Sequence, residues 1–454
     1  MSNDLSKTFT FPTLLKFVIP SVIMTVITNS YTLIDGLFIS RYAGANALAA
    51  VNLITPMFAM VCSTAIMFAT GGSATVSKLL GEKRDQEAKE HFTAMVILSL
   101  ALIASLLVIA SVCKAPLLGF MGADATLFAD AEAYFSRFLP FFPAVMLHIL
   151  LQIFFMAAGK PHISLKLTLL GGAINISCDY LFIAHLNMGT GGAATASGLG
   201  YAIPGLVGAS IFTLNSRLSL TFTKPVFIAA RIGKSLSNGL SEMINYVAMA
   251  ITTLGFNLFL MKQAGPSGVA AITAMLYTQM FMNSVYVGYV TAIAPIAGFK
   301  LGAKDEEQLH FLFKSSLCII ASASALVFLT ATRKSDLIMG LFFSSTSDVF
   351  LLASQGFSIF ALAYLASGIN IFASGYLTAL SKGRASALIS LMRTFVFVVF
   401  SLIFLPKIFG LKGVWLSIPL AETLALLVSA GLLFKHRKFC FQNRARLTPS
   451  PTTH

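Results

Sequence analysis

Four carboxyl side chains, Asp35, Asp179, Glu242 and Glu422, stand inside long apolar stretches, while the rest of the 17 acids occupy polar links or stretch ends. A carboxylate carried into a bilayer on a helix costs roughly 2.5–3.5 kcal/mol or more, so such groups usually face a cavity and serve function. Away from bulk water a carboxyl group can exchange its proton near neutral pH. Asn175 precedes Asp179 by one helical turn, which puts amide and acid on one face. Two carboxylates and an amide are a set that could hold a sodium ion or share a proton. A polar pair that only bridges two helices is the alternative reading.

The elements that must position these groups are membrane helices. Of the 454 residues, 57% are hydrophobic and 11% charged, with a mean hydropathy of +0.84. A soluble domain carries about 25% charged residues. Twelve stretches reach the roughly 20 apolar residues that a bilayer crossing needs. Lipid offers the backbone no hydrogen-bond partner, so these must be helices or a closed barrel, and the dyad alternation of a barrel is missing. The fourth and tenth stretches, 126–157 and 350–380, exceed one crossing and should be tilted, kinked or extended. With the N-terminus inside, twenty-two Lys and Arg fall on the inner side and eight on the outer. That asymmetry places both termini in the cytoplasm.

The net charge of +14 comes from these short links and forms no continuous basic face, so a nucleic-acid partner is not expected. Five scattered cysteines suggest neither a disulfide framework nor a CxxC metal site. No basic n-region or cleavage site precedes the first apolar run, and the N-terminus is expected to stay uncleaved.

The chain repeats itself. At an offset of 221 residues, Gly44–Ala45–Asn46 meets Gly265–Pro266–Ser267, Leu80–Gly81–Glu82–Lys83 meets Leu301–Gly302–Ala303–Lys304, and Gly189 with Gly192 meets Gly410 with Gly413. Lys160 and Lys382 need one residue more. Six crossings per copy make the repeats parallel. The expected architecture is an all-α membrane protein of two pseudo-symmetric six-helix lobes. The N-lobe covers 1–214, a cytoplasmic linker 215–234, the C-lobe 235–434 and a basic cytoplasmic tail 435–454. Repeated halves with a site between them suit alternating access, which favours a transporter over a receptor or scaffold.

Ser-His-Asp, HExxH and P-loop patterns are absent, so hydrolysis and direct ATP coupling lack support, and energy must come from an ion gradient. The run Gly189–Ala194 follows no strand and reads as close helix packing rather than a dinucleotide loop. His148 and Gln152, one turn apart, make a poor metal pair without a third ligand. The 40 Phe and 18 Met residues mostly face lipid or helix interfaces, and those in a cavity would suit varied amphipathic ligands.

Thr32–Ile39, Asn175–Ile176–Ser177–Cys178–Asp179, and Gly410–Trp415 followed by Pro419–Glu422 resemble segments of the multidrug and toxic compound extrusion (MATE) family. The resemblance is to its DinF-like and MepA-like bacterial branches and spans nearly the whole chain. It implies a cation-coupled antiporter in the bacterial inner membrane, with H⁺ or Na⁺ as the coupling ion and no other cofactor. It implies that Asp35, Asn175 and Asp179, with Tyr134, Gln152 and Ser197, form a cation or proton site, and that Na⁺ could bind at Asp35, Asn175 and Asp179. Tyr180 and Met156 depart from the Pro and Arg common in the family, which puts the bend of helix 5 and the inner end of helix 4 in question. Met249 takes the place of an acid that one branch carries deep in helix 7. Glu242, two turns nearer the cytoplasm, reads as mainly structural. Glu422 either lines a substrate cavity or pairs with Arg393. Pro20 removes a backbone hydrogen bond in helix 1. The resemblance couples bending there to protonation near Asp35; a static kink is the other reading.

The expected function is export of drugs and toxic organic compounds, often cationic, by a monomer in the lipid bilayer. A flippase for a lipid-linked saccharide is the nearest rival, disfavoured by an acidic cavity short of Arg. A membrane-embedded enzyme is the more distant one, since no catalytic constellation supports it.

Overall fold

The structure is a computed structural model that describes residues 4–121 and 127–436. Arg437, Lys438, Arg444 and Arg446 of the expected basic tail, together with Cys440 and Asp124, lie outside the described residues. The described residues are overwhelmingly helical, with no strand among them. Among the described residues, eleven helices are long and apolar enough to cross a membrane. The longest of them, Ala229–Gly302, is two crossings joined at Gly265, which brings the total to the twelve that the sequence predicts.

In chain order the crossings are α1 (Phe11–Ala43), α2 (Ala45–Gly81), α3 (Asp85–Val112), α4 (Phe128–Ala157), α5 (Pro161–His185) and α6 (Gly189–Leu214). The second set is α7 (229–264), α8 (266–302), α9 (Glu306–Arg333), α10 (Asp348–Ala379), α11 (Gly383–Phe409) and α12 (Leu411–Lys435). The two overlong stretches are interrupted as expected. A 3₁₀ turn at Leu139–Phe141, which contains Pro140, divides α4, and another at Ala361–Ala363 divides α10. Helix α7 begins at Ala229, inside the stretch expected to be linker.

The internal repeat is visible in the backbone as well as in the side chains. Gly44 (φ 95°, ψ 174°) and Gly265 (φ 61°, ψ −156°) both occupy a region essentially closed to residues with a Cβ. Each turns the chain between the first two crossings of its half. Lys83 and Lys304 share a left-handed φ, 58° and 57°, and Gly189 and Gly410 share 56°. The same offset therefore relates turn geometry as well as residue type.

Twelve crossings return the chain to the side it started from, so Phe11 at the start of α1 and Lys435 at the end of α12 lie on one face, called here the terminal face. Toward that face the two halves meet through glycines. A Cβ on Gly71 would fall 1.9 Å from the Ser235 carbonyl oxygen, and one on Gly239 would fall 2.0 Å from that of Met67. Nearer the face, Gly81 stands in the same relation to Phe299 O, and Gly302 to Lys78 O, each at 2.0 Å. The last pair is symmetric under the repeat. Only glycine lets α2 approach α7 and α8 backbone to backbone in this way.

Polar links follow the same seam. Ser235 Oγ lies 2.7 Å from Thr75 Oγ1 and 2.9 Å from His91 Nε2, and Arg231 pairs with Glu87. The segment before α1 crosses to the other half, where Phe9 N donates to Gln308 Oε1 at 2.8 Å. The halves are thus sealed together toward the terminal face.

Candidate cation site

The site grows from four helices of the first half. Helix α1 supplies Asp35, and α5 supplies Asn175 and Asp179 one turn apart. Helix α4 supplies Tyr134, and α6 supplies Ser197. Asp179 is fully buried, while Asn175, Tyr134 and Ser197 are 4%, 6% and 8% exposed. Helices α5 and α6 cross closely here, since a Cβ on Gly171 would fall 2.6 Å from Gly200 O. That crossing brings Asn175 and Ser197 to one wall. The cavity beneath Asp35 has a volume of about 150 Å³, and Tyr134, Asn175 and Ser197 line it as well.

The carboxyl groups of Asp35 and Asp179 come within hydrogen-bonding reach of each other. Ser197 and Tyr134 stand beside Asp35 around the same cavity. Among the described residues no donor reaches either carboxyl oxygen of Asp179, Oδ1 of Asp35 or Oδ1 of Asn175. Ionised carboxylates only accept hydrogen bonds. Two of them can face each other in a buried place only with a proton or a cation between them. Four orphaned oxygens on α1 and on two successive turns of α5 are the donor type that a hard cation takes.

Gln152 stands apart from this group. Its Nε2 donates to Thr168 Oγ1 at 2.7 Å and meets His148 Nε2 at 2.9 Å, and it is not among the residues lining the cavity. Pro20 lies inside α1, which continues through it as helix. A Cβ on Gly288 of α8 would fall 2.6 Å from the Cα of Val22, so the segment just after Pro20 rests on the other half. Glu422 is buried and pairs with Arg393 at 2.8 Å, and Asn370 Nδ2 donates to its other carboxyl oxygen at 2.7 Å. Of the two readings open for Glu422, the structure shows the ion pair. Glu242 accepts from Asn245 Nδ2 at 3.3 Å, and Met249 is half exposed.

The family departure at Tyr180 has a structural counterpart. A π turn at Tyr180–His185 follows Asp179 directly, and Tyr180 itself is largely exposed. Another π turn, Ile39–Ala43, closes α1 one turn beyond Asp35. Single π turns in helices frequently mark functional sites. Met156 is fully buried in packing at the end of α4.

Several lining residues were not predicted. Tyr31 and Tyr201 line the cavity from α1 and α6, and Asn52, Thr55 and Phe58 from α2. Tyr31 lies four residues before Asp35, and Tyr201 four after Ser197, so helical spacing from the predicted residues would have found both. Nothing local marks the α2 residues, because their place depends on how α2 packs. At the repeat offset, Asp35, Asn175 and Asp179 fall on Phe256, Val396 and Phe400. The cluster therefore belongs to one half alone.

Comparison with known proteins agrees with this architecture. Multidrug export protein MepA of Staphylococcus haemolyticus is 24% identical over 442 residues, which cover 96% of each chain. Its namesake in Staphylococcus aureus strain MSSA476 is 21% identical over 431 residues, 94% of each. A MATE transporter crystallised with MaD3S superposes with a TM-score of 0.88 at 22% identity, covering 94% of this chain and 95% of that one. The MatE family model matches twice, at 20–181 and 242–403, once in each half. The chain belongs to the MatE family.

Proposed function

We propose that this protein is a cation-coupled antiporter that exports amphipathic, often cationic, organic compounds, with H⁺ ahead of Na⁺ as the coupling ion. The observation that carries the reading is the Asp35–Asp179 pair, Asp179 fully buried and Asp35 partly so at the cavity wall, whose facing acceptor oxygens need a proton or cation between them. Two relatives matched over nearly their whole length are named multidrug export proteins, which supports the substrate class.

The excess of Lys and Arg on the terminal face supports reading that face as cytoplasmic. On that reading the glycine seam belongs to a state closed to the cytoplasm, and the Asp35 cavity, beside the end of α1 far from the terminal face, is the part a cation from outside would reach. A cation arriving from outside neutralises the pair and removes the negative charge that would hold an organic cation. Tyr31, Tyr201, Phe58 and Phe138 line the cavity with aromatic faces, which attract cations without binding them irreversibly. Occupancy can reach the other half along α1, because Ser21 and Val22, just after Pro20, lie against Gly288. In this mechanism Pro20 is where α1 yields, and Gln152 holds α4 against α5 rather than touching the cation.

The test is efflux of an organic cation dye from proteoliposomes under separately imposed H⁺ and Na⁺ gradients. Wild-type protein should respond to at least one gradient, and Asp35→Asn, folded and inserted, to neither. Gradient-driven efflux by Asp35→Asn at the wild-type rate would overturn the proposal.

A further inference from the structure

A second cavity, of about 330 Å³, opens between the two halves at the terminal face. Lys78 and Glu82 line it from the end of α2, Lys234 from the start of α7, Lys304 from the turn after α8, and Lys382 from the turn after α10. Four lysines thus line one hollow with a single carboxylate among its lining residues. That carboxylate is already engaged: Glu82 lies 3.6 Å from Lys78 Nζ and 3.0 Å from Arg84 Nη1. Asp305, next to Lys304, is held elsewhere. It caps α9 by accepting from Gln308 N at 3.1 Å and pairs with Lys300 at 3.1 Å.

Loop lysines spread along the cytoplasmic side are expected of any inner-membrane protein and serve orientation. Convergence on a cavity between helices is a different arrangement, since basic pockets of this kind accept the phosphate of anionic head groups. The height fits as well. The cavity lies where α2 and α8 end, at Gly81 and Gly302, which is the level of the head groups. Its walls come from both halves and meet through the Gly302–Lys78 contact.

We propose that this cavity binds a phosphate group, and that the site is complete only while the halves are closed together on the terminal face. A bound phosphate bridges Lys78 of one half to Lys234, Lys304 and Lys382 of the other, and so favours that closed state. The same chemistry is offered by an anionic lipid head group and by a soluble phosphate. Neither the binding nor its test depends on the transport reading above.

The experiment uses the full chain in nanodiscs of phosphatidylcholine alone or with phosphatidylglycerol. Lipid retention is read by native mass spectrometry, and inorganic phosphate is titrated into the phosphatidylcholine discs. Closure is read from maleimide labelling of Ser77→Cys, a fully buried seam position, in a chain whose native cysteines are replaced. Phosphatidylglycerol or phosphate should slow the labelling. Lys304→Gln and Lys382→Gln should each weaken binding about fivefold, and Glu82→Gln should tighten it by a similar factor, as expected for single charges at a membrane surface. Lys314→Gln, an exposed lysine outside the cavity, should change nothing.

The opposite sign at Glu82 separates a charge effect from damage to the fold, and that variant reads the site even if a lysine variant fails to fold. Response to phosphatidylglycerol alone assigns a head group, and response to inorganic phosphate assigns a soluble ligand. Binding of neither, or equal binding by the Lys304, Lys382 and Lys314 variants, overturns the proposal.

Discussion

Replacing Gly302 by Ala should force the terminal face open. The new Cβ would fall 2.0 Å from Lys78 O, a backbone atom that cannot swing aside. Carbon and carbonyl oxygen tolerate an approach of about 3.3 Å, so α2 and α8 must separate by about 1.3 Å. Overpacking of this kind costs about 1–3 kcal/mol. The strain exists only where the two helices touch, so it acts on the closed state alone. It should shift the equilibrium toward the opened seam by about 5- to 150-fold. Gly81→Ala should do the same, because its Cβ meets Phe299 O at the same distance. The readout is maleimide labelling of Ser77→Cys from the terminal side in inside-out vesicles, with the native cysteines replaced. Gly431→Ala is the control, since nothing lies within 4 Å of its added Cβ. If Gly302→Ala labels no faster than Gly431→Ala, the glycine seam is not what seals this face.

Three further outcomes are expected. Arg393→Ala strands the buried Glu422 carboxylate and should destabilise the second half by about 3–5 kcal/mol, seen as a lower melting temperature in detergent; Arg393→Met with Glu422→Leu should recover most of the loss. Gly265→Ala should cost about 1–3 kcal/mol because its backbone lies where only glycine sits without strain, and thermal unfolding measures this. Gln152→Leu should keep gradient-driven efflux while lowering stability, since it breaks the bond to Thr168 without touching the cavity; loss of coupling with unchanged stability would put Gln152 back in the cation site.

Much of this was legible in the residues themselves. Asp35 and Asp179 stood out because a carboxylate in an apolar stretch is costly to keep, and the structure brings them together. The twelve crossings and the repeat followed from apolar length and from glycines in register, and the paired backbone angles at Gly44 and Gly265 give that register its physical reason. The seam was not legible. Gly71, Gly81, Gly239 and Gly302 resemble any small residues in a membrane helix, and their meaning lies in a neighbour far away in sequence. The same holds for Asn52 and Thr55, which enter the cavity only through the packing of α2. Glu422 could not be resolved because its partner Arg393 is on another helix, and only the crossing of α11 and α12 joins them.

Proton and sodium release on ligand binding tests the Asp35–Asp179 account most directly. An organic cation dye is added to purified protein in a weakly buffered solution, with a pH indicator and a sodium electrode as readouts. The wild-type protein should release one of the two cations as the dye binds, and Asp35→Asn and Asp179→Asn should bind dye and release neither. Undiminished release from both variants would show that the exchanged cation resides elsewhere.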